Sequence, residues 1–348
     1  MKILAIDLGK FKSVACEYDT ETHDVEYETI KTTPFSMQQL LTRRRPKRLV
    51  IEIGPAAGWV HDLAVACGVQ VQVANTNTEG WRWRNVKAKT DRMDALKLAK
   101  LSAADQLPTV YIPSRPVRQW RALIAYRRQL VGRRTAIKNR IRSILHGEGL
   151  SMPGKAKGWS PASLDRLGEL AEPMELVSVD ELWRGQLHEE LDALAEIECR
   201  VIRIEQRLDA MGRADERVER LRTIPGIGPR TAEALVAAID DPHRFRCGKE
   251  LGAYFGLVPR QFESGQMSRQ GRITKQGNKL VRKLLVEASW VALRFNPWAR
   301  EIYERVRGGS RSRGKIAIVA VARHLLLVAW AMLRDKTLWQ PPRVVRAA

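Results

Sequence analysis

The chain has 348 residues, enough for two or three domains that each bury a core, and its formal net charge is +21. A charge this positive favours a polyanionic partner, and nucleic acid is a better candidate than a membrane surface. The four cysteines are scattered and form no C-x-x-C pair, which argues against a zinc site or a disulfide framework. We therefore expect a basic protein of the reducing cytoplasm.

Residues 1–112 alternate between apolar runs and helical segments, which predicts an α/β domain. The first apolar run ends at Gly9 and is interrupted by Asp7, so it reads as a buried strand and is too short for a signal peptide. Strands of a meander are expected next at 13–18 and 25–29. Further strands are predicted at 48–53 and 69–73, with a helix at 59–67 between them.

Four acids in this domain are candidate metal ligands. Asp7 and Glu52 interrupt otherwise apolar strands, where an isolated buried carboxylate is costly. Thr90 is a plausible cap for a helix whose residues Asp91 and Asp94 share one face. Each acid alone could be an ordinary solvated residue. Together they could converge at one sheet edge and hold two Mg²⁺ (or Mn²⁺) ions, because oxygen-only ligands suit those ions.

Three motifs contain these acids: Ile6–Lys10, Ile51–Gly54 and Lys89–Ala95. Their residues resemble the DEDD signature of the IS110 family of insertion-sequence transposases, whose members are guided by a structured bridge RNA. The resemblance implies a resolvase-like (RNase H-like) fold for residues 1–112. The chain departs from the family pattern after Glu52, where Ile53-Gly54-Pro55-Ala56 replaces the expected Ala-Thr-Gly run.

Two basic segments flank the candidate site. Arg43–Arg48 is predicted to be a loop by its proline, and a solvated loop and nucleic-acid contact are equally open there. In the second segment, Trp and Arg alternate shortly before the Asp pair. Aromatic faces stack on bases while arginines meet phosphates, so this segment is expected to bind nucleic acid. The candidate residues are Arg82, Arg84 and Lys89.

Residues 113–212 are predicted to form a helical linker. A helix over 117–146 has no acid between Arg115 and His146, so Arg127, Arg128 and Arg134 are expected to bind a nucleic-acid backbone. Residues 147–173 are expected to be a loop. A second helix, 179–211, has coiled-coil spacing, and both antiparallel packing within the chain and dimerisation are open. Its seam comprises Leu194, Ile197, Val201, Ile204, Leu208 and Met211.

Residues 213–348 are expected to form a mainly α-helical C-terminal domain. Leu221–Ala232 resembles a helix-hairpin-helix element, in which backbone N–H groups near Gly226 and Gly228 could hold a phosphate. A simple glycine turn between two packed helices is the alternative. Ile316–Leu333 is long and apolar but contains Arg323 and His324, which favours a buried helix over a membrane span.

The run Gly256–Asn278 is predicted to be a polar, glycine-rich loop before an amphipathic helix. On physical grounds Ser264 and Ser268 are ordinary loop serines, since Glu263 is the only local acid. The run resembles the second motif of the IS110 family, and the resemblance puts the catalytic serine at Ser264. The basic residues available to hold a phosphate there are Arg260, Arg269, Arg272 and Lys275.

The resemblance implies a recombinase that cuts and exchanges strands of target and donor DNA through a serine–DNA intermediate, with a structured guide RNA choosing the sites. A homodimer that pairs into a tetramer is expected, because four strand ends must be handled. A metal-dependent junction-resolving nuclease that uses water is one alternative. A non-catalytic nucleic-acid-binding protein is the other.

Overall fold

The computed structural model describes residues 1–75, 90–154, 158–264 and 267–341. The chain divides into two compact units, Met1–Pro116 and Val117–Ala348. The first unit ends close to the predicted domain end at residue 112. The predicted further division of the second unit, at about residue 212, stays a prediction.

The first unit is built on a five-stranded mixed sheet in the order β3-β2-β1-β4-β5. The first three strands form an antiparallel meander, and β4 and β5 run parallel to β1. This arrangement confirms the predicted α/β domain. The elements are β1 (Lys2–Asp7), β2 (Lys12–Asp19), β3 (Val25–Lys31), α1 (Pro34–Arg44), β4 (Arg48–Glu52), α2 (Ala57–Ala66), β5 (Gln70–Ala74) and α3 (Asp91–Ala103).

Alternate residues of β1 and β4 pack on opposite faces of the sheet, as the two-residue period of a strand requires. Leu4 and Ile6 share a buried cluster with residues of α1 and α2. Ala5 and Val50 share a different buried cluster with Leu98 of α3. The helix α3 therefore covers the face on which the odd-numbered residues of β1 lie.

Helix α1 corrects the prediction of a loop at Arg43–Arg48. Thr33 caps it by accepting a hydrogen bond from the Ser36 N–H (3.3 Å), with Pro34 in the first turn. Arg43 and Arg44 belong to the last turn, where Arg43 pairs with Glu28 and Arg44 with Glu26 and Glu28. These two arginines are neutralised within the chain, so nucleic acid is not needed to balance them.

The second unit is mostly helical, which confirms that part of the predicted fold class. Its elements are α4 (Arg115–Gly147, which begins just before the unit boundary), α5 (Pro161–Leu170), α6 (Leu182–Arg213), α7 (Glu216–Arg222), α8 (Pro229–Ile239), α9 (Gly248–Tyr254), β6 (Pro259–Ser264), β7 (Met267–Ile273), α10 (Lys279–Phe295), α11 (Pro297–Arg307) and α12 (Gly314–Asp335). Two predicted loops are wrong: 147–173 contains α5, and 256–278 contains the β6–β7 hairpin.

The long helices α4 and α6 pack antiparallel within the chain. Leu130 and Ile141 of α4 are buried in one cluster with Leu194 and Val201 of α6. Ion pairs along the two helices join Lys138 to Glu198 and Arg140 to Glu190. The apolar seam of α6 is thus occupied within the chain. Its use in a coiled coil between subunits stays a prediction.

Helix α12 lies in the core of the second unit. Among the described residues, one segment, Arg311–Asp335, is long and apolar enough to cross a membrane by length and composition, and 56% of its most apolar window is buried in the protein. Val321, Leu325 and Ala329 are fully buried in the main cluster of this unit. The packing agrees with the predicted buried helix.

Candidate active site and nucleic-acid-binding residues

Asp7 and Glu52 end two neighbouring parallel strands. The β1–β4 register pairs Ile6 with Ile51, so the two acids come one residue later on adjacent strands. Because side chains alternate along a strand, both acids belong to the same sheet face as Ala5 and Val50. That is the face covered by α3. Both acids are half-buried.

The direction of α3 brings its first turn toward these strand ends. Arg48, the first residue of β4, donates a hydrogen bond to the carbonyl of Ser102 near the end of α3 (3.1 Å). The helix therefore runs antiparallel to β4, with its start toward the end that carries Glu52. Asp94 lies in the first turn and is only 6% exposed, whereas Asp91 is exposed.

The helix begins as predicted. Thr90 precedes it in extended conformation, and its hydroxyl accepts a hydrogen bond from the Met93 N–H (3.3 Å). This cap fixes where the first turn starts, and hence which residues follow on the side nearest the sheet. The start of the helix also carries the positive end of its dipole, which favours acids at this position.

The four acids suit Mg²⁺ or Mn²⁺ in their donor chemistry. All of their ligand atoms are carboxylate oxygens, which these ions prefer. Within the four described ranges, however, no group of three or more His, Cys, Asp or Glu side chains lies close enough together to hold a metal ion. The chain brings Asp7, Glu52 and Asp94 to one end of one sheet face, and ion binding would have to draw their side chains together.

The turns beside the strand acids are firmly held. A side chain at Gly9 would put its Cβ 2.2 Å from the Lys12 carbonyl oxygen, so the turn after Asp7 requires glycine. The Thr32 hydroxyl donates a hydrogen bond to the Gly9 carbonyl (2.9 Å). After Glu52, the Ile53 N–H donates to the Ala74 carbonyl (3.1 Å). The unusual sequence after Glu52 therefore continues the bonding to β5 for one residue.

Ser264 is the last residue of β6, at the end of the β6–β7 hairpin. It is exposed and pairs with Met267 across the hairpin. Alternation along β6 puts Arg260, Phe262 and Ser264 on one face and Glu263 on the other. The neighbouring acid therefore does not lie beside the serine as a general base.

The basic residues near Ser264 occupy different positions on the hairpin. Arg269 pairs with Phe262, so it shares the face of Ser264, as does Arg260. Arg272 lies where the strand register shifts. Lys275 follows β7 with a positive φ of 58°, and its N–H donates to the Gly256 carbonyl (3.1 Å).

The predicted role of Arg127 in nucleic-acid binding needs correction. Its Nε donates to the Glu205 carboxylate of α6 (2.8 Å), so its charge is already paired within the chain. The sequence pattern of α4 could not show this, because the balancing Glu205 lies 78 residues further along the chain. Arg128 and Arg134 form no ion pair with any described residue and remain candidates for phosphate contact.

Gly226 and Gly228 differ in their surroundings, since only Gly226 is closely packed. Gly226 has a φ of +102°, and a Cβ there would lie 2.7 Å from Cα of Ala292 on α10. Close packing against α10 thus accounts for Gly226. Gly228 is the exposed N-cap of α8, where a Cβ would meet nothing within 4 Å. Only Gly228 leaves open space for a phosphate.

A partly buried ion cluster that the sequence did not reveal joins α6 to α8. Arg230 binds the carboxylate of Asp209, and it donates to Glu233 (2.9 Å). Glu233 is 1% exposed. Its burial raises the pKa of the Glu233 carboxyl to about 7, although Arg230 opposes this rise. Arg230 is thus engaged inside the protein.

Three predicted contacts, Arg82, Arg84 and Lys89, lie outside the described residues. One feature that the sequence reasoning missed is the apolar pair beside Ser264. Phe262 is 57% exposed and Met267 66% exposed. The signal available in the sequence was the presence of these two large apolar residues, five positions apart, in an otherwise polar segment.

Comparisons with known proteins point to one family. A family model described as "Transposase IS116/IS110/IS902 family" matches residues 218–304, and a DEDD model of IS110 type described as "Transposase" matches residues 4–148. A probable family 20 transposase of Pseudomonas aeruginosa is 31% identical over a stretch that covers 73% of this chain and 75% of the length of that transposase. The transposase of insertion element IS1111A of Coxiella burnetii is 32% identical over 70% of this chain and 66% of its own. The solved structure of Thermus thermophilus RuvC matches 32% of this chain and 100% of its own, with 15% identity and a TM-score of 0.26.

Proposed function

The chain belongs to the IS116/IS110/IS902 family of transposases, and from this premise we propose that it exchanges DNA strands through a covalent link to Ser264. Membership makes it a DNA-cleaving and rejoining enzyme. The placement of Asp7, Glu52 and Asp94 at one end of one sheet face is the observation that supports the catalytic assignment. The same family and the mixed sheet support an RNase H-like first domain.

The four acids Asp7, Glu52, Asp91 and Asp94 would hold Mg²⁺ or Mn²⁺. When bound, such an ion stabilises negative charge on a phosphate and favours ionisation of a nearby hydroxyl. The protein's own part is to supply carboxylates from two rigid strand ends and one capped helix. This construction limits how far each ligand can move.

In the proposed reaction, Ser264 Oγ forms a bond to the scissile phosphorus while the bond from phosphorus to the 3′ oxygen breaks. The serine proton ends on the released 3′ oxygen, leaving a 5′-phosphoserine and a free 3′-OH. A 3′-OH of the other duplex then attacks the phosphoserine, and the serine hydroxyl is restored. The number of phosphodiester-type bonds is unchanged, so no external energy source is needed.

The exposed position of Ser264 supports its role, since a strand of DNA can reach it. Arg260 and Arg269 share its face and would hold the phosphate, with Arg272 and Lys275 nearby. Arg128, Arg134, Gly228, Arg82, Arg84 and Lys89 are further proposed contacts to nucleic acid. The net charge of +21 fits a partner as large as two DNA duplexes with a structured guide RNA.

We also propose a homodimer that pairs into a tetramer, since two duplexes present four strand ends. The cytoplasm is the proposed location, because the substrate is the cell's own DNA.

A water-using nuclease is the second candidate function. All four acids lie in the first unit and Ser264 lies in the second, so the first unit alone contains the carboxylates for metal-dependent hydrolysis. In this alternative Ser264 is a structural residue of the hairpin, and no protein–DNA link forms.

The deciding experiment incubates the wild type and Ser264→Ala with guide RNA, Mg²⁺ and labelled DNA of the element's ends, and then denatures the samples. We expect a protein–DNA adduct that is lost in Ser264→Ala. Ser178→Ala is the matched control, because Ser178 is exposed and its side chain makes no capping hydrogen bond. Cleavage without adduct in both proteins would establish the nuclease. Binding without cleavage would leave a non-catalytic protein.

A further inference from the structure

The face of the hairpin that carries Ser264 also carries an aromatic ring that is mostly exposed. Phe262 precedes Ser264 by two residues on β6 and is 57% exposed. Covering this ring with another flat apolar group would be favourable, because it removes apolar surface from water. Its position on the strand is fixed by the pairing with Arg269 across the hairpin.

Gly271 makes room for this ring. A Cβ at Gly271 would lie 2.9 Å from Cε2 of Phe262 and 3.7 Å from Cβ of Arg260. One edge of the ring therefore rests on the bare backbone of β7, and the rest of the ring stays open to solvent. The glycine leaves space for the ring at this place without covering it.

We infer that Phe262 is a stacking platform for an unpaired DNA base next to the phosphate that Ser264 attacks. This inference rests on the proposed function of Ser264. Stacking on an exposed aromatic ring is the usual way in which proteins hold single-stranded bases without reading their sequence. Arg260 and Arg269 flank the ring on the same face and match the charge of the adjoining phosphates.

The spacing fits one short stretch of a DNA strand. Residues two apart on a strand are separated by about 6.8 Å. Successive nucleotides of a duplex strand rise by about 3.4 Å. A base stacked on Phe262 therefore belongs to a nucleotide within about two positions of the phosphate at Ser264. Phe262 would act as a positioning residue that holds this phosphate at the hydroxyl.

Photo-crosslinking tests the inference without any cleavage. The probe is a single-stranded oligothymidylate that carries one 5-iodouracil, which crosslinks to aromatic rings stacked on it. The protein is full-length Ser264→Ala, so no covalent serine adduct can form. We expect the crosslink at Phe262, a loss of at least about tenfold in crosslink yield at this position in Phe262→Leu, and retention in Phe262→Tyr. Leucine keeps apolar bulk but has no ring face.

The control is Phe295→Leu, which removes an aromatic side chain of similar exposure (65%) from the end of α10 and should leave the crosslink at Phe262 unchanged. Crosslinks only at other aromatic residues would overturn the stacking inference, while the serine adduct of the wild type would still be observed. A crosslink at Phe262 in Ser264→Ala, together with no serine adduct in the wild type, would instead overturn the serine chemistry and keep the platform. Should Phe262→Leu fail to fold, the mapped crosslink in the parent and in Phe262→Tyr still decides the matter.

Discussion

Arg127 of α4 and Glu205 of α6 form an ion pair that joins the two long helices, with each side chain about two-thirds buried. A partly buried pair of this kind contributes more to stability than a fully exposed one, because water screens it less. It also removes one arginine from the basic surface available to nucleic acid. The helix α4 is therefore less uniformly basic than its sequence suggests.

We predict that Arg127→Ala lowers the free energy of unfolding by about 1–2 kcal/mol and changes DNA affinity little. Arg134→Ala is the matched variant on the same helix. It should leave stability within about 0.5 kcal/mol and reduce the slope of log affinity against log salt by about 1. Urea unfolding and salt-titrated binding measure the two effects. Equal loss of affinity in both variants would contradict the assignment.

Asp7→Asn and Glu52→Gln should each lower Mg²⁺-dependent cleavage by roughly 10²–10³-fold, because each removes a charged ligand from metal-assisted chemistry worth several kcal/mol. Asp105→Asn is a suitable control. Asp105 is 84% exposed in its side chain, and its φ of +52° is one that Asn also tolerates. Cleavage rates over a Mg²⁺ titration measure the effect. If either variant cleaves at the wild-type rate, that acid is not a ligand.

Glu233 should make stability depend on pH. Burial raises the pKa of its carboxyl from 4.5 to about 7, so the folded state holds this proton more tightly than the unfolded state does. Its contribution is therefore fully present below about pH 4.5 and is lost as pH rises through about 7. We expect Glu233→Gln to lose less stability than the wild type between about pH 5 and pH 8. Urea midpoints of both proteins at the two pH values test this. If the wild type and Glu233→Gln lose the same stability, Glu233 does not titrate in this range.

The base of the hairpin gives a prediction about glycine. A Cβ at Gly277 would lie 2.0 Å from the Tyr254 carbonyl oxygen, and φ there is +66°. Gly309 has a similar φ of +75° but open space around it. Gly309→Ala should thus cost about 1–2 kcal/mol, the penalty of the left-handed conformation alone. Gly277→Ala should lower the thermal unfolding temperature more than Gly309→Ala does, and it should reduce the adduct yield. If both variants lower the unfolding temperature equally, the backbone around residue 277 relieves the clash.

The sequence was sufficient for elements whose signal is local. The meander, the parallel strands and the long helices all follow from apolar periodicity, and the Thr90 cap marks the start of α3. Helix α1 had comparable signals in Thr33, Pro34 and the buried Met37 and Leu40, but the basic run at its end obscured them. The β6–β7 hairpin gave no alternation of apolar and polar residues, because both of its faces meet solvent along much of its length.

Contacts between residues far apart in the chain could not be predicted from the sequence. The packing of Gly226 against Ala292 joins residues far apart in the chain, so the glycine could equally indicate a phosphate site. The partner of Arg127 also comes from a distant helix. By contrast, the positions of Asp7 and Glu52 at the ends of two strands could be predicted from the apolar runs that precede them. Their shared face depends on the β1–β4 register, which the structure supplies.

The two-stranded ribbon that ends at Ser264 is attached at its root, where the Thr274 N–H donates to the Val258 carbonyl (2.9 Å) and Arg282 donates to the Phe255 carbonyl (3.1 Å). Beyond this root, most of the side chains whose burial is described are exposed, and isolated hairpins are only marginally stable in water. Gentle warming should therefore inactivate the enzyme before its helical circular dichroism changes. Heat tolerance of catalysis and heat tolerance of the fold are then separate properties, set by different parts of the chain.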